Sequence, residues 1–236
     1  MDHNCSIFTA VGNGHDVCLK KLIEADADPN ITDVSGCTPL HRAIFKDHEA
    51  CVKLLVNAGA NLDAIDDTGI TALHHAVYYG YDRCVRILIE AGADLNNVSD
   101  GYAPLHYALY KCHDECVKML VDAGANAIDI VDKNGRTPLH FAVYNGQGDA
   151  YVLLLINKIV SERPLRPSEL HVIPQTSAVL GYMLRMTMQL HGRSEAAKIV
   201  AHLPVDAREL MRTAALCLNR TNFPRDLVDR VLIQCV

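Results

Sequence analysis

The tetrapeptide Thr38-Pro39-Leu40-His41 returns as Thr71-Ala72-Leu73-His74, Ala103-Pro104-Leu105-His106 and Thr137-Pro138-Leu139-His140, which sets the four histidines 33, 32 and 34 residues apart. A period of that length marks one supersecondary unit that cannot hide its apolar side alone and buries it by stacking on the next copy. Other columns keep the same period. Ala43, Ala76, Ala108 and Ala142 follow the histidines, and Gly59-Ala60, Gly92-Ala93 and Gly124-Ala125 close the copies. An earlier copy without the box keeps the columns, with Ala10 at the alanine position, Gly14-His15 at the turn and Ala27-Asp28 near the end, so about five repeats are expected.

Each box residue has a local task. Threonine is a good helix cap, proline suits the first helical turn because its missing donor would lack a partner there anyway, and histidine can bridge backbone groups of adjacent repeats. The four box histidines therefore read as structural and not as catalytic bases. A Gly-His or Asp-His turn leads to a second helix in each copy. The whole pattern resembles the ankyrin repeat, and the resemblance implies an all-α solenoid of helical hairpins. In that family the first helices and the turn tips form a concave recognition surface.

At 50% hydrophobic and 21% charged residues the composition is that of a globular chain. No apolar run reaches the roughly 18 residues of a membrane span, and Met1 to Val11 lacks the basic start and apolar core of a signal peptide, so a cytoplasmic or nuclear location is expected. Four of the nine cysteines, Cys18, Cys51, Cys84 and Cys116, share one column of the second helices with apolar neighbours, which reads as core packing. Stacked helices lie roughly 10 Å apart, beyond the ~7 Å limit for a disulfide between Cα atoms, so these thiols are expected to be reduced. Cys112, His113 and Cys116 fall short of a four-ligand zinc set, and no metal or other cofactor is expected.

Charge divides the chain. Residues 1–164 hold 13 Lys+Arg and 22 Asp+Glu, a balance of −9, whereas 165–236 hold 9 and 6, a balance of +3. An acidic array argues against a nucleic-acid partner, because phosphate binding normally needs a basic patch.

The positions that stacking does not dictate are the informative ones. Four residues after each box histidine stand Phe45, Tyr78, Tyr110 and Tyr144, next to Lys46, Tyr79, Lys111 and Asn145. If this column faces the concavity, it forms an aromatic ladder rimmed by the tip carboxylates Asp66, Asp67, Asp100 and Asp132 and suited to a protein or peptide target. The alternative is that the rings only cover the seams between first helices.

After Leu153-Leu154-Leu155-Ile156 no Gly-Ala closes the repeat, and Pro164, Pro167 and Pro174 follow. The reading is an array over 1–160, a proline-containing linker over 161–175 and a small helical unit over 176–236. Its end resembles the SOCS box of ankyrin-repeat and SOCS-box proteins. Leu210-Met211-Arg212-Thr213-Ala214-Ala215 is similar to that family's Leu-Cys-Arg-x-Ala-Ile core, and Phe223-Pro224-Arg225-Asp226-Leu227 to its Leu-Pro-x-x-Leu cullin segment. The chain departs from the family at Met211, where cysteine is usual, and at Ala207, where a leucine enters the Elongin C pocket. The resemblance implies an adaptor surface of Ala207, Leu210, Met211, Ala215, Phe223, Pro224 and Leu227 that binds Elongin B and Elongin C with a cullin. It thus implies a substrate receptor of a cullin-RING ubiquitin ligase. Phe223-Pro224-x-x-Leu227 is also similar to the first helix of F-box-like modules, which recruit Skp1, and a capping bundle without a partner is the third reading.

An enzyme would need a nucleophile with its base, or a phosphate cradle. No G-x-x-x-x-G-K-[ST], G-x-S-x-G or H-E-x-x-H occurs, and His171, His191 and His202 have no matching Cys, Ser or Asp pattern. The choice lies between a ligase receptor and a plain ankyrin scaffold or inhibitor, both non-catalytic.

Overall fold

The computed structural model describes residues 6–144, 149–163, 165–170, 179, 183, 186–187 and 189–203. Its contacts divide the chain into two compact units, Met1–Gly135 and Arg136–Val236. The first holds α1 (Ile7–Gly12), α2 (Asp16–Glu24), α3 (Pro39–Phe45), α4 (Glu49–Asn57), α5 (Ala72–Tyr79), α6 (Asp82–Glu90), α7 (Pro104–Lys111) and α8 (Asp114–Asp122). These form four hairpins in which first helices pack on first helices and second helices on second helices.

The box starts each first helix as its chemistry requires. Thr38 and Thr71 are extended N-caps whose hydroxyls accept the His41 and His74 backbone N–H, and Pro39 sits in the first turn. Each histidine then faces both ways. His41 Nδ1 accepts from the Thr38 N–H at 3.2 Å, while its Nε2 donates to the Ile70 carbonyl of the next tip at 3.1 Å. His74 repeats the bond to the Tyr102 carbonyl at 3.1 Å. Ala103 supplies no capping hydroxyl, yet His106 Nδ1 still accepts its N–H at 3.2 Å. The imidazole thus keeps the N-cap N–H engaged in the copy that has lost its threonine.

The core follows the columns. Ala10, Ala43, Ala76 and Ala108 are fully buried where first helices meet, and Leu55, Leu88 and Leu120 are fully buried in the second helices. Each such leucine contributes about 1.5–3 kcal/mol by its burial. Cys51, Cys84 and Cys116 are buried free thiols and Cys18 is half-buried, in keeping with a packing role. The thiols also carry bonds. Cys84 donates to Asp47 at 3.4 Å and Cys116 to Asp82 at 3.2 Å, each a residue of the preceding repeat.

A polar relay joins the loops after the second helices. Asp28 Oδ1 accepts the Asn30 N–H at 2.8 Å, and Asn30 Oδ1 accepts the Asn61 N–H of the next repeat at 2.7 Å. Asp63 then takes the Asp94 N–H at 2.9 Å and Asn96 the Asn126 N–H at 2.6 Å. One side chain shapes its own turn and the next reaches across the seam, which satisfies backbone donors that no helix or strand uses.

In the second unit α9 (Pro138–Tyr144) packs on α10 (Asp149–Glu162). At 14 residues α10 outruns the nine-residue second helices of the first unit, and Ile159 and Val160 are buried where the other copies have their closing Gly-Ala. Arg163 at its end makes a bidentate bond to Glu169 of α11 (Pro167–Leu170), at 3.0 and 2.6 Å. A further helix spans Arg193–His202. Among the described residues no helix is long and apolar enough to cross a membrane.

Candidate binding face

With 3.6 residues per turn, a first helix that turns its box leucine, histidine and alanine inward presents the residues one, four and five positions after the histidine outward. In the first unit these are Arg42 and Phe45 on α3 with its C-cap Lys46, His75, Tyr78 and Tyr79 on α5, and Tyr107, Tyr110 and Lys111 on α7.

The expected column does not stack on itself. Phe45 lies with its ring centre 4.2 Å from that of His75, and Tyr78 lies 5.9 Å from Tyr107, so each ring meets the residue after the box histidine one repeat on. Phe45 is half-buried by this contact. Exposure then rises along the face, to 37% for Tyr78, 48% for Tyr79 and 58% for Tyr110. Within the column Phe45 and Tyr78 meet the seam to the next first helix, while Tyr110, like Tyr79 beside the column, keeps about half of its surface exposed. Tyr144, in the second unit, is 83% exposed.

Around Tyr78 the rings gather. Tyr79 meets it edge-on at 5.2 Å and stacks on Tyr81 at 5.5 Å, and the Lys111 ammonium stands 4.1 Å from the Tyr78 ring centre and 5.5 Å from that of Tyr110. The hydrogen bond that Lys111 donates to the Tyr78 hydroxyl raises the lysine pKa, so the amine stays charged. At the other end Phe8, Gly12, Asp33, Arg42, Phe45 and Lys46 line an open cleft of about 330 Å³. Arg42 Nε donates to Asp33 at 2.6 Å there. Burial pushes the Asp33 carboxyl up, but bonds from the Ser35 N–H and Arg42 outweigh it and hold it below the usual carboxylate range.

Asp66 and Asp132 correct one expectation. They are buried, at 8% and 4% exposure, and do not rim the face. Asp66 accepts from the Thr68 hydroxyl at 2.6 Å, the Ile70 N–H at 3.0 Å and His75 at 3.1 Å. Burial raises its pKa, and these bonds together bring it down to about 2. A carboxylate five places before the box threonine is tied to its own turn because the tip needs an acceptor for donors left unpaired by its sharp bend. Asp67 and Asp100 are exposed at the tips.

The trio Cys112, His113 and Cys116 is drawn to separate partners: His113 Nε2 donates to the Tyr78 carbonyl at 3.1 Å, Cys116 to Asp82, and Cys112 is exposed. Among the described residues no cluster of three or more His, Cys, Asp or Glu is arranged to hold a metal. The adaptor residues Ala207, Leu210, Met211, Ala215, Phe223, Pro224 and Leu227 lie outside the described residues. Residues that the column reading missed are His75, Tyr107 and Phe8. The first two carried a signal, since they stand directly after a box histidine in successive copies.

Comparison with known families agrees with the repeat. A family model described as ankyrin repeats in three copies matches residues 7–99, and one described as ankyrin repeats in many copies matches residues 105–155. Neither match reaches residues 206–236. No curated protein matches the chain.

Proposed function

The chain belongs to the ankyrin-repeat family, and from that premise we infer that it is a non-catalytic protein-binding module whose first-helix face takes the target. The observation that carries this reading is the exposure of Tyr79 and Tyr110 beside Lys111 on one face of three stacked hairpins. Large rings that packing does not consume, next to a fixed cation, are the composition of a binding hot spot. Target residues on this reading are Phe45, Lys46, Tyr78, Tyr79, Tyr110 and Lys111, with Tyr144 on the second unit. Affinity capture with the wild type, with Tyr79→Ser/Tyr110→Ser and with Arg86→Ser on the second-helix side tests it. The captured protein should be lost with the first variant and kept with the second.

A second reading rests on residues 206–236 and makes the module the substrate receptor of a cullin-RING ubiquitin ligase, with the linker at 161–175 joining array and box. Leu210-Met211-Arg212 and Phe223-Pro224-x-x-Leu227 support it. Changing Leu210 and Met211 to serine should then remove co-purifying Elongins and cullin while the melting of the array is unchanged. Recovery of Skp1 instead would favour the F-box-like version, and recovery of neither the plain scaffold.

A further inference from the structure

On the reading that the first-helix face takes a target, we propose that its occupant is an extended acidic peptide segment carrying a large apolar side chain. Residues 1–135 hold 20 Asp+Glu against 10 Lys+Arg, yet α1, α3, α5 and α7 contain no aspartate or glutamate at all. The acids sit in the second helices and the loops, so the charges that the first helices themselves bring to the face are cations, and the one acid lining the cleft, Asp33, is paired with Arg42. Arg42 is already neutralised by Asp33. Lys46 is exposed and has no ion pair among the described residues, and Lys111 is held over Tyr78.

Apolar and charged features alternate along this face. The cleft between Phe8 and Phe45 has about 330 Å³, room for one aromatic or large aliphatic side chain, with Lys46 at its rim. Lys46 and Lys111 share a column two repeats apart, which at the usual helix spacing is roughly 20 Å, or about six residues of extended chain. Between them lie the rings of Tyr78 and Tyr79. Single-stranded nucleic acid also pairs negative charge with stacking. A continuous polyphosphate, however, would run past the acidic loops that outnumber these two lysines, whereas a peptide needs a carboxylate only at each lysine.

Selection of a random dodecapeptide display library on the full chain tests this, with Lys46→Glu/Lys111→Glu and Tyr110→Ser variants of unchanged melting and with oligothymidylate as a second probe. Selected peptides should be net acidic with an aromatic or large aliphatic residue. Their affinity should fall about tenfold or more on the double charge reversal and weaken with added salt. Neutral or basic peptides that lose affinity with Tyr110→Ser would overturn the acidic occupant and leave the face as target site. Peptides indifferent to every variant would overturn both readings. Failure to enrich any peptide, or tight oligothymidylate binding abolished by the double variant, would overturn the peptide occupant.

Discussion

The side-chain carbonyl of Asn96 accepts the backbone N–H of Asn126, one repeat further on, at 2.6 Å. The same bond joins Asn30 to Asn61 and Asp63 to Asp94, so each seam in the first unit is crossed by one side chain from the loop before it. Asn96→Ala removes the third crossing. The site is exposed and water can replace part of the bond, so the expected cost is about 1 kcal/mol. Urea unfolding should show a lower midpoint with an unchanged slope. An unchanged midpoint would mean that the relay holds no stability.

The box histidines predict an acid limb. His74 is buried with Nε2 donating to the Tyr102 carbonyl and Nδ1 bonded to the Thr71 hydroxyl, a neutral ring with both nitrogens engaged. Burial lowers its pKa from 6.5 to about 4. Between those values the unfolded chain binds the proton and the folded one does not, so stability is full above about pH 6.5 and falls as pH drops towards 4, by roughly 3 kcal/mol in total. Burial lowers His41 in the same direction. Asp66, folded pKa about 2, adds a further loss from pH 3.8 downward. Chemical denaturation at a series of pH values measures the limb, and a flat profile from neutral pH to pH 4 would contradict the neutral bridging ring.

Residue columns that recur from copy to copy were legible in the sequence, because stacking imposes the same demand at each step: the box histidines, the alanine contacts and the cysteines of the second helices stand where the period puts them. The aromatic column was legible as a set of residues but not as a geometry. Whether Tyr78 meets Tyr110 or Tyr107 depends on how far one hairpin is displaced along the next, and no single residue encodes that displacement. Asp66 misled for a related reason, since a carboxylate in a tip looks solvated until the turn donors that it collects are placed around it. The Phe8 cleft was hidden because the first copy lacks its box.

Gly80 and Gly92 separate backbone strain from contact. Both are left-handed, at φ 72° and 89°, so alanine at either costs about 1 kcal/mol of strain. A Cβ on Gly92 meets nothing within 4 Å, whereas one on Gly80 would stand 2.7 Å from the His113 ring. That ring cannot swing aside while its Nε2 is bonded to the Tyr78 carbonyl. Gly80→Ala should therefore cost about 2–3 kcal/mol, clearly more than Gly92→Ala. Equal losses in paired thermal melts would show that His113 yields.

Thiol reactivity should follow burial. Burial and the Asp47 carboxylate push the Cys84 thiol up to about 12, burial and Asp82 raise Cys116 as well, and Cys51 is raised by burial. Cys112 is exposed at the turn before α8. Because the thiolate is the reactive form, iodoacetamide on the native chain should label Cys112 and leave Cys51, Cys84 and Cys116 unmodified until denaturant is added. Peptide mass mapping reads the difference, and early labelling of Cys84 would mean that the second-helix seam opens readily.

Phe45 and Tyr110 stand in one column yet should fail differently when truncated. Phe45 is half-buried on His75 and walls the cleft, so Phe45→Ala removes a seam contact and should cost about 2 kcal/mol as well as any affinity the cleft provides. Tyr110 is 58% exposed and its ring meets the Lys111 ammonium at 5.5 Å, so Tyr110→Ser should stay within about 0.5 kcal/mol of the wild type in stability. A target seated on the face would nevertheless be released by it, because an exposed ring lends its surface to the partner and not to the fold. Melting and target affinity measured on both variants distinguish the roles. Were Tyr110→Ser to lower the melting temperature as far as Phe45→Ala does, the ring would be sealing its own seam and the face would lose its most accessible contact.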